Sequence, residues 1–272
     1  MKDLPNSGNR LKDSNDDGGN GVGGHMRIEV LGVGEAFDPE FCNSSVVVSA
    51  GGYRLMIDCG ASVMAPLLKR YPDPDAIDGI YFTHMHPDHV FGLVPVLLNW
   101  RDDGRSKPLD IVVTEQLRGH LEKLMAIGFE GLGSAWPFEI VWHLTSDTPQ
   151  IGPFQTWFAL SNHSVRNHAI LLQHDGGSFA YSGDGNVTPD TIALFARADL
   201  VFQETYLPAP DPAHAAHCDL ETVREMAADM PGARFWLYHI KRDYRSRIID
   251  LVRDDPQLRV AIPGEIIEIR QG

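Results

Sequence analysis

The chain has 272 residues, 43% of them hydrophobic, which is enough to bury the core of one large domain or two small ones. Its formal net charge of −14 argues against a long polyanion as the principal partner, because proteins that hold nucleic acid usually present a basic stripe. No apolar stretch is long enough to cross a bilayer, no signal-peptide pattern opens the chain, and three cysteines imply no disulfide framework, so we expect a cytoplasmic protein.

The N-terminal segment differs in composition from the rest of the chain. Residues 1–25 are rich in Gly, Asn, Asp and Ser and offer little apolar surface to bury, which predicts disorder. The letters GGHM that end at Met26 are typical of a cloning remnant, although a genuine flexible tail has the same composition. We therefore expect one folded domain over residues 26–272.

The first half of this domain alternates strands and helices. RIEVLG predicts a strand, and SSVVVSAGGYRLMIDCG predicts a hairpin that turns at Gly51-Gly52. A helix near residues 62–70 leads to the strand GIYFT, and another helix is expected over VFGLVPVLLNW. LDIVVT predicts the next strand, and EQLRGHLEKLMAIG predicts a helix that ends at Gly128.

The second half repeats this style. FEIVWHL, FQTWFAL, HAILLQH and SFAYSG predict short strands separated by Gly, Pro, Asn or Asp. A helix over residues 189–197 precedes the strand DLVFQET, and a helix over residues 220–229 precedes the strand ARFWLYH. YRSRIIDLV is a further predicted helix, and the strands RVAIP and EIIEI close the chain. Strands followed by helices in each half favour two sheets packed face to face with helices outside.

A histidine cluster follows the strand GIYFT. YFTHMHPDHVFGL places His84, His86, Asp88 and His89 within six positions. Histidine is the commonest metal-ligand side chain, and carboxylates join it around divalent ions. In H-x-H the alternate side chains of an extended segment converge on one ion, whereas Pro87 turns the chain and aims the next two residues elsewhere. The order therefore predicts two adjacent metals rather than surface histidines in a polar loop.

Further ligands are expected where other strands end, because loops at strand ends gather residues that are distant in sequence. His163 follows FALSN, Asp184 follows FAYSG, and His239 follows FWLY. Gly183 and Gly185 around Asp184 allow close backbone approach. A structural or solvent role is expected for the remaining histidines that lack this context, namely His25, His120, His143, His168 and His174.

The motifs LGVGEAFDPEFCNSSVVVSAGGYRLMIDCG, THMHPDH, NHS, SGD and LYH, in this order, resemble the metallo-β-lactamase superfamily from about Met26 to the C-terminus. The resemblance implies an α/β fold, the αββα four-layer sandwich, with two metals in a cleft at one sheet edge. It implies a first metal bound by His84, His86 and His163 and a second bound by Asp88, His89 and His239, with Asp184 bridging. Asp58 matches a position that orients the ligand loop, or it is a turn-forming residue before Gly60.

The subfamily is indicated further along the chain. DLVFQETYLP, HCDLETV and FWLYHIKRDY resemble the tRNase Z branch, which cleaves phosphodiesters, and HCDLETV also resembles the small cyclic-phosphate phosphodiesterase of phosphonate breakdown. The resemblance implies a Glu204–His217 pair beside the metals, so the candidate catalytic residues are Asp88, Glu204 and His217. A histidine held by a carboxylate can protonate an alkoxide leaving group. The alternative is that His217 caps and solvates a loop.

The sequence departs from both relatives. tRNA-processing enzymes carry a long Gly/Pro-rich arm between the positions of His163 and Asp184, an interval that SVRNHAILLQHDGGSFAYSG fills with two predicted strands and a turn. The phosphonate-pathway enzyme has a cysteine-rich extra zinc site near its start, where this chain offers only Cys42. In KRDYRSR, Lys241 and Arg242 are candidates for binding a substrate phosphate, or they belong to a solvated helix face.

The sequence thus predicts a hydrolase with two divalent ions about 3.5–4 Å apart, most simply zinc, with manganese or iron as alternatives. A hydroxide between the ions would attack a small phosphodiester or a cyclic phosphate. The alternatives are lactonase or thioesterase chemistry, a tRNase Z-like ribonuclease, and a metal-stabilised binding protein without turnover. A small phosphoester is the expected partner, large nucleic acid and membranes are not, and a homodimer is left open by the resemblance.

Overall fold

The computed structural model describes residues 25–128 and 136–269. The predicted tail therefore lies outside the described residues apart from His25. Within the described ranges, fourteen strands form two sheets of seven strands each. None of the helices in these ranges is both long enough and apolar enough to cross a membrane.

The first sheet contains strands from the N-terminal half and the last strand of the chain. Its members are β1 Met26–Gly32, β2 Ser45–Ala50, β3 Tyr53–Ile57, β4 Gly79–Tyr81, β5 Leu109–Val113, β6 Ile140–Leu144 and β14 Ile266–Ile269. The order is β14-β1-β2-β3-β4-β5-β6, antiparallel up to β3 and parallel from β3 to β6. Parallel strands end at the same edge of a sheet, so Asp58 after β3 and the histidine cluster after β4 are neighbours.

The second sheet is built in the same way from the C-terminal half. Its members are β7 Gln150–Ile151, β8 Phe154–Leu160, β9 His168–His174, β10 Gly177–Tyr181, β11 Leu200–Glu204, β12 Arg234–Tyr238 and β13 Leu258–Val260. The order is β13-β12-β11-β10-β9-β8-β7, parallel from β10 to β13 and antiparallel elsewhere. The parallel strands β10, β11 and β12 therefore bring Asp184, Glu204 and His239 to one edge.

Helices cover the outer face of each sheet. They are α1 Met64–Arg70, α2 Pro87–Val90, α3 Leu93–Asp102, α4 Glu115–Gly128, α5 Pro189–Phe195, α6 Leu220–Ala228 and α7 Arg245–Val252, with short 3₁₀ turns at Pro212–His214 and Arg242–Tyr244. The Asp219 side chain caps α6 by accepting a hydrogen bond from Thr222 N at 3.0 Å, and Thr188 caps α5.

Three apolar layers hold the sandwich together. The layer between the sheets includes Tyr81 and Phe202, the layer under α1, α3 and α4 includes Leu97, and the layer under α5, α6 and α7 includes Phe195 and Val223. Each helix buries one face and each sheet buries both, as four stacked layers require. The predicted αββα sandwich is therefore confirmed.

The predicted helix over residues 90–100 is confirmed from Leu93 onward, as α3, but not as one continuous helix. The structure has α2 and α3, separated at Phe91 and Gly92. The Gly92 amide donates to the Cys59 carbonyl oxygen at 2.8 Å, and a Cβ at Gly92 would overlap the carbonyl oxygen of Gly60. This close approach of the segment after β3 interrupts the helix. Strand β7, of two residues, was not predicted.

Candidate metal centre

Three histidines converge at the edge of the sandwich and form a first group with Asp184. The His84 Nε2 and His86 Nδ1 atoms are 3.0 Å apart, and His86 Nδ1 is 3.2 Å from His163 Nε2. His84 is buried, while His86 and His163 are half-buried at the mouth of the site. The ligand atoms of the group lie within 4.8 Å of one another, the spacing expected when several donors face one ion.

Hydrogen bonds on the far side of the rings select which nitrogen faces the group. His163 Nδ1 lies 2.9 Å from the carbonyl oxygen of Ala216, which can only accept. Nδ1 therefore carries the hydrogen, and Nε2 presents a lone pair to the site. In the same way Thr83 Oγ1 lies 3.0 Å from His84 Nδ1, which leaves His84 Nε2 directed at the group.

A second group combines Asp88, His89 and His239 with the same Asp184. His239 Nε2 is 3.2 Å from an Asp88 oxygen and 3.3 Å from Asp184 Oδ2. His89 Nε2 is 3.3 Å from Asp88 Oδ2 and 3.4 Å from Asp184 Oδ1. All four residues are buried, and their ligand atoms again lie within 4.8 Å of one another. Asp184 is common to both groups, so one carboxylate lies between two sets of donors.

The charges of this cluster fit divalent cations. Burial acts to raise the pKa of Asp184, but His239 and His89 hold the pKa well below its usual range. Burial acts to lower the pKa of His239, yet Asp184 and Asp88 raise it to about 10. The buried His89 Nε2 and Asp184 Oδ1 have no hydrogen-bond partner. Buried carboxylates thus favour protonation of the neighbouring histidines, and ligand atoms without a hydrogen-bond partner face one another. A metal ion would balance the charge of the carboxylates and bind these atoms.

Asp58 lies behind the second group. Its carboxylate is fully buried, with Oδ2 2.8 Å from His89 Nδ1 and Oδ1 accepting from Thr83 N at 2.9 Å. Burial raises the pKa of Asp58, and His89 opposes this rise. Because Asp58 contacts His89 Nδ1, the Nε2 atom of His89 is the one that faces the site.

Glu204 and His217 form a pair beside the two groups. His217 Nδ1 donates to Glu204 Oε1, and Glu204 Oε2 accepts from Gly185 N at 2.5 Å and from Cys218 N at 3.2 Å. Burial and Asp184 act to raise the pKa of Glu204, but His217 lowers it overall. Burial acts to lower the pKa of His217, but Glu204 raises it overall. The lowered pKa of Glu204 and the raised pKa of His217 both favour the charged form of the pair.

The structure gives the two candidate phosphate contacts different surroundings. The guanidinium of Arg242 pairs with the buried carboxylate of Glu35. The Lys241 ammonium lies 5.9 Å from the Tyr206 ring centroid and 5.7 Å from that of Tyr244, and makes no ion pair in the described part of the chain. Lys241 is therefore the cation of the two that could reach a ligand without breaking an existing pair.

Several residues that position the site were not predicted from the sequence. Asn167 is buried, its side-chain amide donates to Ser182 O at 2.9 Å, and its Oδ1 accepts from Asp184 N at 3.2 Å. A Cβ at Gly183, where φ is +62°, would overlap Asn167, which confirms the predicted close approach at this glycine. Thr83 holds Asp58 in a similar way. Neither residue type carries a sequence signal for such a role.

The sandwich with a buried cluster of histidines and carboxylates at one edge defines a metallo-β-lactamase fold protein. This chain belongs to the family of the anti-Pycsar protein Apyc1, whose family model matches residues 26–255. Family, fold and donor cluster together support a metal-dependent hydrolase.

Known proteins resemble the chain in parts and in overall fold. The anti-Pycsar protein Apyc1 of Bacillus phage 010DV004 is 39% identical over 93 residues, 34% of this chain and 36% of that protein. A ribonuclease Z of Methanococcus aeolicus is 28% identical over 154 residues, 54% of this chain and 47% of that protein. The matches thus span less than half the length of these curated relatives.

Solved structures with the same fold extend over most of the chain. The metallo-β-lactamase fold protein YhfI from Bacillus subtilis has a TM-score of 0.75 at 20% identity and covers 90% of this chain and 99% of its own. The short form of human tRNase Z has a TM-score of 0.70 at 20% identity and covers 89% of this chain and 98% of its own. These likenesses establish the fold.

Proposed function

We propose that this protein is a metal-dependent phosphodiesterase that hydrolyses a small phosphodiester or a cyclic phosphate. The observation that carries the proposal is the Glu204–His217 pair, which lies against the histidine and carboxylate groups at the sheet edge. A carbonyl substrate makes less demand on a proton donor than a phosphodiester, whose alkoxide leaving group must be protonated.

The proposed ligands are those of the two groups. His84, His86 and His163 would hold one divalent ion, and Asp88, His89 and His239 a second, with Asp184 shared. When bound, the metal would supply a water nucleophile at neutral pH and neutralise charge on the phosphoryl oxygens. Zinc suits imidazole and carboxylate donors, and manganese or iron is the alternative.

His217 is the proposed proton donor. Its Nδ1 faces the Glu204 carboxylate, so the proton available to a ligand is the one on Nε2. Glu204 raises the pKa of His217 and thereby favours the protonated form of the ring. Water adds to phosphorus and releases one proton to the solvent, the bond from phosphorus to the leaving oxygen breaks, and that oxygen takes the Nε2 proton. His217 then regains a proton from the solvent. The products are a phosphomonoester and an alcohol, or a single opened phosphomonoester when the diester is cyclic.

Two features support a small substrate. Strands β9 and β10 are joined by only two residues, Asp175 and Gly176, so the interval between His163 and Asp184 carries no tRNA-gripping arm. The formal net charge is −14, which opposes a long polyanion. Lys241 is the proposed contact to the substrate phosphate, and Arg242 would join it only after releasing Glu35.

A substrate panel with two variants tests the proposal. The zinc-loaded protein is expected to hydrolyse bis-p-nitrophenyl phosphate and a 3′,5′-cyclic nucleotide faster than a homoserine lactone, a thioester or a cephalosporin. Asp184→Ala should lose both zinc, measured by elemental analysis, and activity. His217→Ala should retain zinc and hydrolyse the cyclic nucleotide about 10²–10⁴-fold more slowly. Activity confined to the carbonyl substrates would refute the proposal.

A further inference from the structure

We propose that Tyr206 is a positioning residue for His217, holding the imidazole in the orientation that directs its Nε2 proton at the leaving oxygen. The inference rests on the proposed function, because it assigns Tyr206 a part in proton donation. Tyr206 belongs to neither of the two groups of candidate metal ligands and does not pair with Glu204.

The rings of Tyr206 and His217 are stacked. Their centroids are 4.4 Å apart and their planes are inclined by 24°. His163 meets the His217 ring edge-on, with centroids 5.1 Å apart at 75°. Glu204 fixes the Nδ1 end of the same ring. His217 is therefore held by an ion pair at one end, an imidazole edge and a phenol face.

Each of these contacts restrains a different motion. The ion pair to Glu204 fixes one atom but leaves the His217 ring free to tilt about that contact. A stacked aromatic ring opposes tilting, and it interacts more strongly with a protonated than with a neutral imidazole. Proton transfer is sensitive to such displacement, because a misplacement of about 1 Å can slow a reaction about 10²-fold.

Tyr206 is itself fixed by the segments that carry the site. Its backbone N–H donates to the Cys218 carbonyl oxygen at 2.9 Å, and its carbonyl oxygen accepts from Lys241 N at 3.1 Å. Residues 206, 218 and 241 thus tie together the segments that hold His217 and His239. These hydrogen bonds fix the backbone at Tyr206, and its hydroxyl group makes no hydrogen bond within the described residues, so phenylalanine should replace it.

The test compares leaving groups, because a proton donor matters for an alkoxide and little for p-nitrophenolate. Tyr206→Leu is expected to lower kcat for a 3′,5′-cyclic nucleotide about tenfold to a hundredfold with little change in KM. The same variant should hydrolyse bis-p-nitrophenyl phosphate at close to the parent rate and retain the parent zinc content. Tyr206→Phe should match the parent on both substrates. Tyr244→Leu, which removes the other ring near Lys241, is the matched control and should also match the parent.

A second measurement is independent of turnover. The His217 side chain is 22% exposed, and the Tyr206 ring covers part of it. Carbethoxylation of His217 by diethyl pyrocarbonate, followed by mass spectrometry, should be faster in Tyr206→Leu than in the parent or in Tyr206→Phe. Equal modification rates in all three proteins would show that the Tyr206 ring does not cover His217.

The outcomes separate the two proposals. A parent protein that hydrolyses neither phosphodiester overturns the proposed function, and the role of Tyr206 in proton donation with it. A parent that hydrolyses both, with a Tyr206→Leu variant that is slowed equally on both or on neither, overturns the positioning role alone. Selective slowing on the cyclic nucleotide, restored by phenylalanine, supports it.

Discussion

Asp58 combines a left-handed backbone, with φ at 60°, and a fully buried carboxylate. Each feature is unfavourable alone, since non-glycine residues rarely adopt positive φ and a buried charge must be paired. Both are explained by the contacts that the carboxylate makes with His89 and Thr83. One side chain thereby orients a ring of the second group and the start of the histidine loop.

We predict that Asp58→Asn weakens zinc binding about 10–100-fold, the range typical when the partner of a metal-binding histidine is changed. Asparagine tolerates the same positive φ, so the backbone is retained while the charge facing His89 is lost. Zinc affinity would be measured by competition with a coloured chelator. Asp110→Asn is the matched control, because Asp110 likewise accepts from a histidine, His143, at 2.8 Å but takes no part in the two groups. Equal affinities for Asp58→Asn and the parent would show that Asp58 is only a turn residue.

Sequence and structure differ in what they reveal about single residues. The cluster of His84, His86, Asp88 and His89 can be recognised from the sequence, because closely spaced histidines and carboxylates are typical of metal sites. Thr83 is an ordinary residue type, and its contact with Asp58 exists only once β3 and β4 are paired. Candidate donors can therefore be selected by their chemistry, whereas the residues that orient them depend on tertiary contacts.

At the scale of elements, the turns after β3 and β4 pack against each other more closely than any sequence pattern indicates. Gly60 follows β3, and a Cβ there would overlap the carbonyl oxygen of Asp88 at the start of α2. Gly92 packs back against the same segment and separates α2 from α3. Most strands and helices could be predicted from periodicity, but the helix break could not, because it is imposed by a segment some thirty residues away in the chain.

We predict opposite effects for two Gly→Ala substitutions. Gly60→Ala should destabilise the fold by about 1–3 kcal/mol, because the added methyl group displaces the backbone of Asp88. Gly119→Ala should stabilise it by up to about 1 kcal/mol, because Gly119 lies within α4 with open space where a Cβ would be. Urea unfolding measures both, and zinc content should fall only in Gly60→Ala. A Gly60→Ala variant as stable as the parent would mean that the two turns are not packed this tightly.

At the scale of the whole molecule, strand β14 returns from the C-terminal half of the chain to the first sheet. β14 pairs antiparallel with β1, so Ile269 lies opposite Met26 in the first sheet, although the neighbouring elements in sequence belong to the second sheet. The layer order could be predicted from the alternation of strands and helices and from the family resemblance. The return of β14 to the first sheet could not be predicted, since the stretch EIIEI fits an edge position in either sheet.

The charge of the whole molecule predicts how the protein responds to added nucleic acid. A formal net charge of −14 opposes the binding of a polyanion, and β9 and β10 are joined by only two residues, which leaves no room for an arm between these strands. Excess unprocessed tRNA, added at low salt, should therefore not inhibit hydrolysis of bis-p-nitrophenyl phosphate.

Salt should also have little effect on hydrolysis of the small substrate. Its kcat/KM should change no more than about twofold between low and physiological salt, since screening acts mainly on exposed and distant charges. Inorganic phosphate, which is small enough to enter the site, serves as the positive control for competition. Inhibition by tRNA that disappears as salt is raised would instead indicate that local cations near Lys241 outweigh the net charge, and would favour a nucleic-acid substrate.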